Sequence, residues 1–424
     1  MERLLSCPAR RPKSWPVKLF AGLLLIAAAP IAGAWAADDR LEPDLYPLAP
    51  GTPLSPPPAE PAHLPFDVDW SLALRGSFTQ DEDGESYEAV LVPRVTLTRE
   101  GGRSTLVLDT EAELALPLDG ETHVEALRLG VSGAYALDSV TDLTGSAALA
   151  YEQPNPNDPG VADDVEDPAD SISGSVDLGV SRRFGLFSVG LDGGVARTVY
   201  GPTIMTGGIE ELNGHDNAWT FDTGLRVGYQ ITPIFEVFGR GSVEREIFDH
   251  PVPGLGVKAD ATQYALVGGL AGNWRGILTA EGSVGVGLRR FDAGALDEIT
   301  STLFDARLTY TPDPTVTLSA GFRRTLEAAG VDTSGTARIE TRADAELAYT
   351  VNRWLRLRAS ADWWDAELEG SGETEKGYGL GLGTDYRLGA HTQLSADYGF
   401  AHTEKSGDTP EDTHRVTVGV TVSR

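Results

Sequence analysis

Residues 338–368 read RIETRADAELAYTVNRWLRLRASADWWDAEL, and this stretch decides the fold. Taken at every second position, Ile339, Thr341, Ala343, Ala345, Leu347, Tyr349 and Val351 form one row. Arg338, Glu340, Arg342, Asp344 and Glu346 form the other. Successive side chains of a strand point to opposite faces, so the pattern predicts a strand with one apolar and one charged face. Asn352-Arg353 reverses the chain. The next strand sets Leu355, Leu357, Ala359, Ala361 and Trp363 against Arg356, Arg358, Ser360 and Asp362. Each strand is about twice the usual soluble length of 5–6 residues. A long apolar face ending in aromatic residues, backed by charges, fits lipid outside and water inside.

The same two-row unit recurs from Phe66 to Arg424. Val68, Trp70, Leu72 and Leu74 are backed by Asp69, Ser71 and Arg75; Leu106, Leu108, Ala112, Leu114 and Leu116 are backed by Asp109, Glu111 and Glu113. Counting these segments predicts an all-β chain: a transmembrane antiparallel up-and-down β-barrel of about eighteen strands. Short turns are expected at Gly101-Gly102, Asp138–Thr141, Phe184-Gly185, Thr232-Pro233, Trp274–Gly276, Pro312–Pro314, Asn352-Arg353 and Gly389-Ala390. Longer polar loops are expected at 152–169, 200–217, 249–260, 292–299, 328–336, 369–374 and 405–412. Outer-membrane barrels sort short periplasmic turns from longer external loops, so both chain ends are expected on the periplasmic side. Lipid offers no hydrogen bonds, so the last strand, with Val416, Val418, Val420 and Val422 outward, is expected to close onto the first.

Upstream of the barrel, residues 1–36 read as a secretory signal peptide. Arg3, Arg10, Arg11, Lys13 and Lys18 precede the apolar run Leu19–Ala29, and Ala34-Trp35-Ala36 fits a small-x-small cleavage site. Residues 37–65 hold nine prolines and read as an extended periplasmic segment. The 424-residue chain has 34 basic and 63 acidic residues; the signal removes five and one, leaving 29 against 62 and a net charge of −33. That balance argues against nucleic acid as a partner. Cys7 is the one cysteine and lies in the signal, which excludes disulfides and thiolate chemistry from the mature chain.

No catalytic, cofactor or metal motif stands out. The seven histidines show no H-E-x-x-H or paired-ligand spacing. His215-Asp216 and Asp249-His250 lie in external loops and read as solvated loop residues rather than a rim protease. The acidic loop 152–170 offers hard oxygen ligands suited to calcium, but without EF-hand spacing. Trp70, Trp219, Trp354, Trp363, Tyr349, Tyr386, Tyr398 and Phe400 fit interfacial girdles. Trp364 alone has inward parity among these aromatic residues and is a candidate for stacking on a sugar. The inward charges Asp109, Glu111, Glu113, Arg94, Arg128, Arg338, Arg342, Arg356 and Arg358 are the candidate pore-lining residues. Arg94 and Arg128 flank the three acids, so that patch either selects cations or is neutralised by pairing.

The strands TPDPTVTLSAGFRR and TVNRWLRLRASADWW, with the final HRVTVGVTVSR, resemble the putative beta-barrel porin family, second type, of proteobacteria. The resemblance covers roughly Phe66 to Arg424 and rests on repeated patterns. It implies an outer-membrane location and no enzymatic signature. The chain departs from many such barrels by ending Val422-Ser423-Arg424 instead of on an aromatic residue. A porin-like channel for small polar solutes or saccharides is the expected function. A structural or surface-interaction barrel linked to exopolysaccharide export is the alternative. The expected partners are outer-membrane lipid and lipopolysaccharide, the barrel assembly machinery, and the solutes.

Overall fold

The structure is a computed structural model. It describes residues 66–424 apart from 82–83, 118–121, 155–164, 254–255, 330–334 and 408. The signal and proline-rich segments lie outside the described residues, as does most of the acidic loop weighed for calcium. Among the described residues the chain forms strands only, in the order β1 Asp67–Gln80, β2 Glu85–Glu100, β3 Ser104–Pro117, β4 His123–Ala136, β5 Thr141–Glu152, β6 Val165–Asp167, β7 Ser171–Phe184, β8 Phe187–Tyr200, β9 Pro202–Met205, β10 Ile209–Leu212, β11 Ala218–Gln230, β12 Phe235–Phe248, β13 Ala261–Trp274, β14 Leu278–Phe291, β15 Ile299–Asp313, β16 Val316–Glu327, β17 Ala337–Thr350, β18 Leu355–Glu369, β19 Glu373–Arg387, β20 Thr392–Lys405 and β21 Glu411–Ser423.

All but β6, β9 and β10 join one eighteen-stranded sheet in which each strand pairs antiparallel with the next. β21 closes onto β1, with Ser71 opposite Ser423 and Gln80 opposite His414. Closure leaves no edge along that join, as a spanning sheet in lipid requires. A 14-residue strand tilted by about 40° rises roughly 36 Å, enough for an apolar band about 25 Å tall and a wet rim at each end.

The two-row pattern sorts as expected. Leu266, Leu382 and Val418 sit in mid-strand yet are 66%, 64% and 57% exposed. Their registers put them on the same side as Trp70, Leu72 and Leu74, also exposed. Such a continuous apolar exterior is incompatible with water and marks the lipid face.

The turns follow from short-range chemistry. Asn352 Oδ1 accepts from the backbone N–H of Trp354 (2.8 Å) and Leu355 (3.1 Å), so the β17–β18 reversal is an Asx-type turn. At β13–β14, Arg275 and Gly276 both have positive φ, 57° and 72°, and Ile277 N donates to Trp274 O at 3.0 Å. That is the twist-matched hairpin turn. Two features differ from expectation. The connection predicted at 369–374 shortens to residues 370–372, because Gly370 and Gly372 take φ of 95° and 76°. The loop 200–217 carries the hairpin β9–β10 around Gly207-Gly208, and β6 adds to it as a third strand.

The wall also departs from a simple cylinder at the Ile299–Leu303 end of β15 and the adjoining ends of β16 and β17. The β14–β15 register runs up to Arg289 opposite Ile299. The β15–β16 register reaches only Phe304 opposite Arg324. Above that level β16 stays with β17, to Glu327 opposite Arg338. Leu326 and Ile339 share the outward parity of Phe322 and Leu347, yet are only 2% and 5% exposed. They pack with Ala337 against Ile299 and Leu303, which have inward parity on β15. Gln263, inward on β13, donates from Nε2 to Leu326 O at 2.8 Å. The end of β16 at Leu326 and the start of β17 at Ala337–Ile339 therefore lie inside the wall, against the inner face of β13–β15.

Candidate functional site: the charged inner wall

The inner wall is built by strand parity, so every second residue contributes one side chain to it. On β2–β5 the candidate charges converge. Arg94 lies opposite Glu111 and Arg128 opposite Glu111 on its other side. Arg94 Nη2 binds Glu111 Oε2. Arg128 reaches Glu111 at 3.3 Å, Glu113 at 3.1 Å and Glu152 at 2.9 Å. One guanidinium thus gathers three acids from the two neighbouring strands, β3 and β5. Its planar fork of donors makes that possible where a lysine would offer a point charge. Asp109 stays apart: its carboxylate lies over Gly130, where an added Cβ would meet Oδ1 at 2.5 Å. Glu152, at the end of β5, joins this cluster although the sequence reading assigned it to the loop.

The pairing continues around the barrel. Arg338 binds Glu375 at 2.6 Å and Glu340 at 3.1 Å. Arg358 binds Asp385 at 3.1 Å and Asp397 at 2.7 Å. Arg226 binds Glu236 at 2.5 Å, and Arg240 binds Asp192 at 2.8 Å. Most of these pairs are partly exposed and contribute about 0–1 kcal/mol each. Their larger effect is to neutralise the charges of the inner wall. Arg289–Glu246 differs, because the Arg289 side chain is fully buried beneath the folded-in hairpin. Removing Glu246 there would leave an uncompensated buried charge.

Arg342 and Arg356 stand differently from the other candidate arginines: neither has an ion-pair partner among the described residues. The same holds for Arg323, directly opposite Arg342 in the β16–β17 register. Trp364 lies opposite Arg342 on its other side, across β17–β18. Its ring lies over Gly377, where any Cβ would strike it, so glycine is what allows the indole to lie against the wall.

A second set of charges faces outward at the rim opposite the chain ends. Arg245 binds Asp292 at 2.6 Å, Arg290 binds Glu298 at 3.2 Å, and Lys376 binds Glu404 at 2.6 Å. Arg197 binds Asp249 and lies over Trp219, 5.4 Å from the ring centroid. Hydrogen bonds from Arg197 and Arg245 hold the Asp249 and Asp292 carboxyls below the usual carboxylate range. His215 Nε2 sits 3.2 Å from its neighbour Asp216, while Asp249 is engaged by Arg197 rather than by His250. Among the described residues no group of three His, Cys, Asp or Glu side chains has metal-binding geometry.

The family described as Putative beta-barrel porin 2 matches residues 76–424, most of the chain. The chain belongs to that family. It is thus a porin-like barrel of the outer membrane, and membership favours this over a purely structural barrel. No curated protein matches the chain. Among solved structures, it is similar to the outer membrane protein OpdK of Pseudomonas aeruginosa, at 12% identity and a TM-score of 0.44, covering 84% of this chain and 99% of that one. OpdO of the same organism is similar at 14% identity and a TM-score of 0.45, covering 84% and 97%. OprD of that organism gives 14%, 0.42, and coverage of 84% and 95%.

Proposed function

We propose that this porin-like barrel conducts small polar solutes, saccharides among them, through its lumen. The observation that carries the reading is the inner wall, where outside the Leu326–Ile339 cluster arginines and carboxylates pair laterally along the sheet. Barrels of 16–18 strands are wide enough for an aqueous channel. Polar, laterally paired side chains keep such a passage wet while giving it local fields. The candidate charges Asp109, Glu111, Glu113, Arg94, Arg128, Arg338, Arg342, Arg356 and Arg358 fall into two roles in this reading. Those with partners set the shape of the wall, whereas Asp109, Arg342 and Arg356 act on the solute. The outward rim charges lie where lipopolysaccharide phosphates and their divalent ions would meet them, and the exterior apolar band takes the lipid. The barrel assembly machinery would insert the folded sheet. The test is conductance of the purified protein in planar bilayers. Defined channel steps in KCl are expected, and silence across many insertions would refute the proposal.

A further inference from the structure

Two positive charges side by side on a sheet repel each other, and cross-strand like charges destabilise unless something lies between them. Arg323 and Arg342 are such a pair, directly opposite on the inner face of β16–β17. The neighbouring carboxylates do not answer them. Asp305, opposite Arg323 on β15, binds Arg307 at 3.1 Å, and Asp344 lies over Gly321. In a mature chain this acidic, two unanswered guanidinium groups are a local exception. They offer up to ten N–H donors to an anion.

The same lateral row continues to Trp364, one strand further on, which shares the inward parity and whose ring rests against Gly377 while staying only partly buried. Neighbouring strands are about 4.8 Å apart, so the arginine pair and the indole span roughly 10 Å. That is the length of a single ring bearing a carboxylate. The row lies immediately below the level at which β16 parts from β15, Phe304 opposite Arg324, and so borders the inward-turned ends of β16 and β17.

We infer that Arg323, Arg342 and the face of Trp364 form a binding subsite for small ring-bearing carboxylates, with the carboxylate bridging the two guanidinium groups and the ring stacked on the indole. This rests on the solute-passage reading above and names the solute class it favours. Bidentate arginine–carboxylate contacts supply orientation as well as affinity. Stacking on tryptophan accepts either a planar aromatic ring or the apolar face of a pyranose.

Calorimetric titration of the folded barrel in detergent tests it, with galacturonate and benzoate as the two ring acids and galactose as the neutral control. Saturable binding of at least one acid is expected, with none for galactose. Arg323→Gln/Arg342→Gln and Trp364→Ala should each weaken it about tenfold or more, in line with loss of charge-assisted or stacking contacts. Arg342→Gln alone serves if the double variant does not fold. The response to benzoate against galacturonate separates an aromatic acid from a sugar acid. Binding unchanged in the variants, or equal for galactose, overturns the inference. KCl conductance is measured in parallel. Channel steps without acid binding leave the passage reading standing and remove the subsite; acid binding without steps does the reverse.

Discussion

The strand β17 offers a direct test of which face meets lipid. Ala345 is the ninth of its fourteen residues, within about 5 Å of the strand midpoint along its length. In the register it lies between Ala320 on β16 and Ala361 on β18, so three alanines make a lateral row on the outer surface. The nearest outward acid above that row on these strands is Asp365, opposite Thr341. Four residues of strand, about 13 Å, separate the two levels, beyond the reach of an arginine side chain. Ala345→Arg therefore places an unpaired cation near the midplane, at about 2–4 kcal/mol. Its sequence neighbour behaves oppositely. Asp344 faces Asp362 directly on the inner side, so Asp344→Arg replaces a like-charge pair with an opposite-charge one and should change stability by less than about 1 kcal/mol. The Ala345→Arg cost corresponds to roughly 30- to 700-fold in the folding equilibrium, against about fivefold or less for Asp344→Arg. Folding of urea-solubilised protein into vesicles, read by heat-modifiable gel mobility against urea, measures it. Equal effects, or a worse Asp344→Arg, would show that the register is wrong by one residue.

Further outcomes follow from other parts of the wall. An epitope inserted within 163–167 should label on intact cells and one at 352–353 should not; the reverse result would invert the barrel. Arg128→Gln frees Glu113 and Glu152 from their shared partner, so the reversal potential in a KCl gradient should move toward cation selectivity, and an unmoved potential would exclude that cluster from the conducting path. Leu303→Cys/Leu326→Cys should cross-link under mild oxidation in the folded barrel, since these side chains belong to one packed cluster; failure to cross-link would place the end of β16 elsewhere. The Asp249 carboxyl is depressed by Arg197, so its contribution is present above the ordinary carboxylate pKa of about 3.9 and is lost as pH falls through the lower folded value. Proteolytic nicking of the 249–260 connection should rise only in that acid window, and onset near neutral pH would contradict the ion pair as its anchor.

Much of this architecture was legible because a barrel strand repeats one instruction. Alternation alone placed Leu347 and Ala345 outside and Asp344 and Glu346 inside, and Asn352 announced its own turn. The closure of β21 onto β1 followed from the chemistry of lipid rather than from any motif. Alternation fails where a strand leaves the wall. Leu326 and Ile339 carry the same parity as lipid-facing neighbours, and nothing local distinguishes an apolar face turned to lipid from one turned to the opposite wall. Pairing partners were likewise hidden, since Arg128 meeting Glu152 depends on a register offset between β4 and β5. The β9–β10 hairpin did leave a signal in Gly207-Gly208 between Ile204-Met205 and Ile209, a turn dipeptide flanked by apolar residues.

The break between β15 and β16 also serves as a tide mark. Above Phe304 opposite Arg324, residues Ile299–Leu303 keep backbone pairing on the β14 side only. Each unsatisfied backbone group in hydrocarbon costs several kcal/mol, so this stretch has to stand clear of the acyl chains. Phe304 and Phe322 stack on the outer surface just below it, with ring centroids 6.4 Å apart, as interfacial aromatic residues do. From Asp313 at the lower turn to Phe304 the tilted strand climbs about 23 Å, close to the roughly 25 Å apolar band of such barrels. The missing hydrogen bonds that free the hairpin to bend inward thereby record how deeply this side of the wall is immersed.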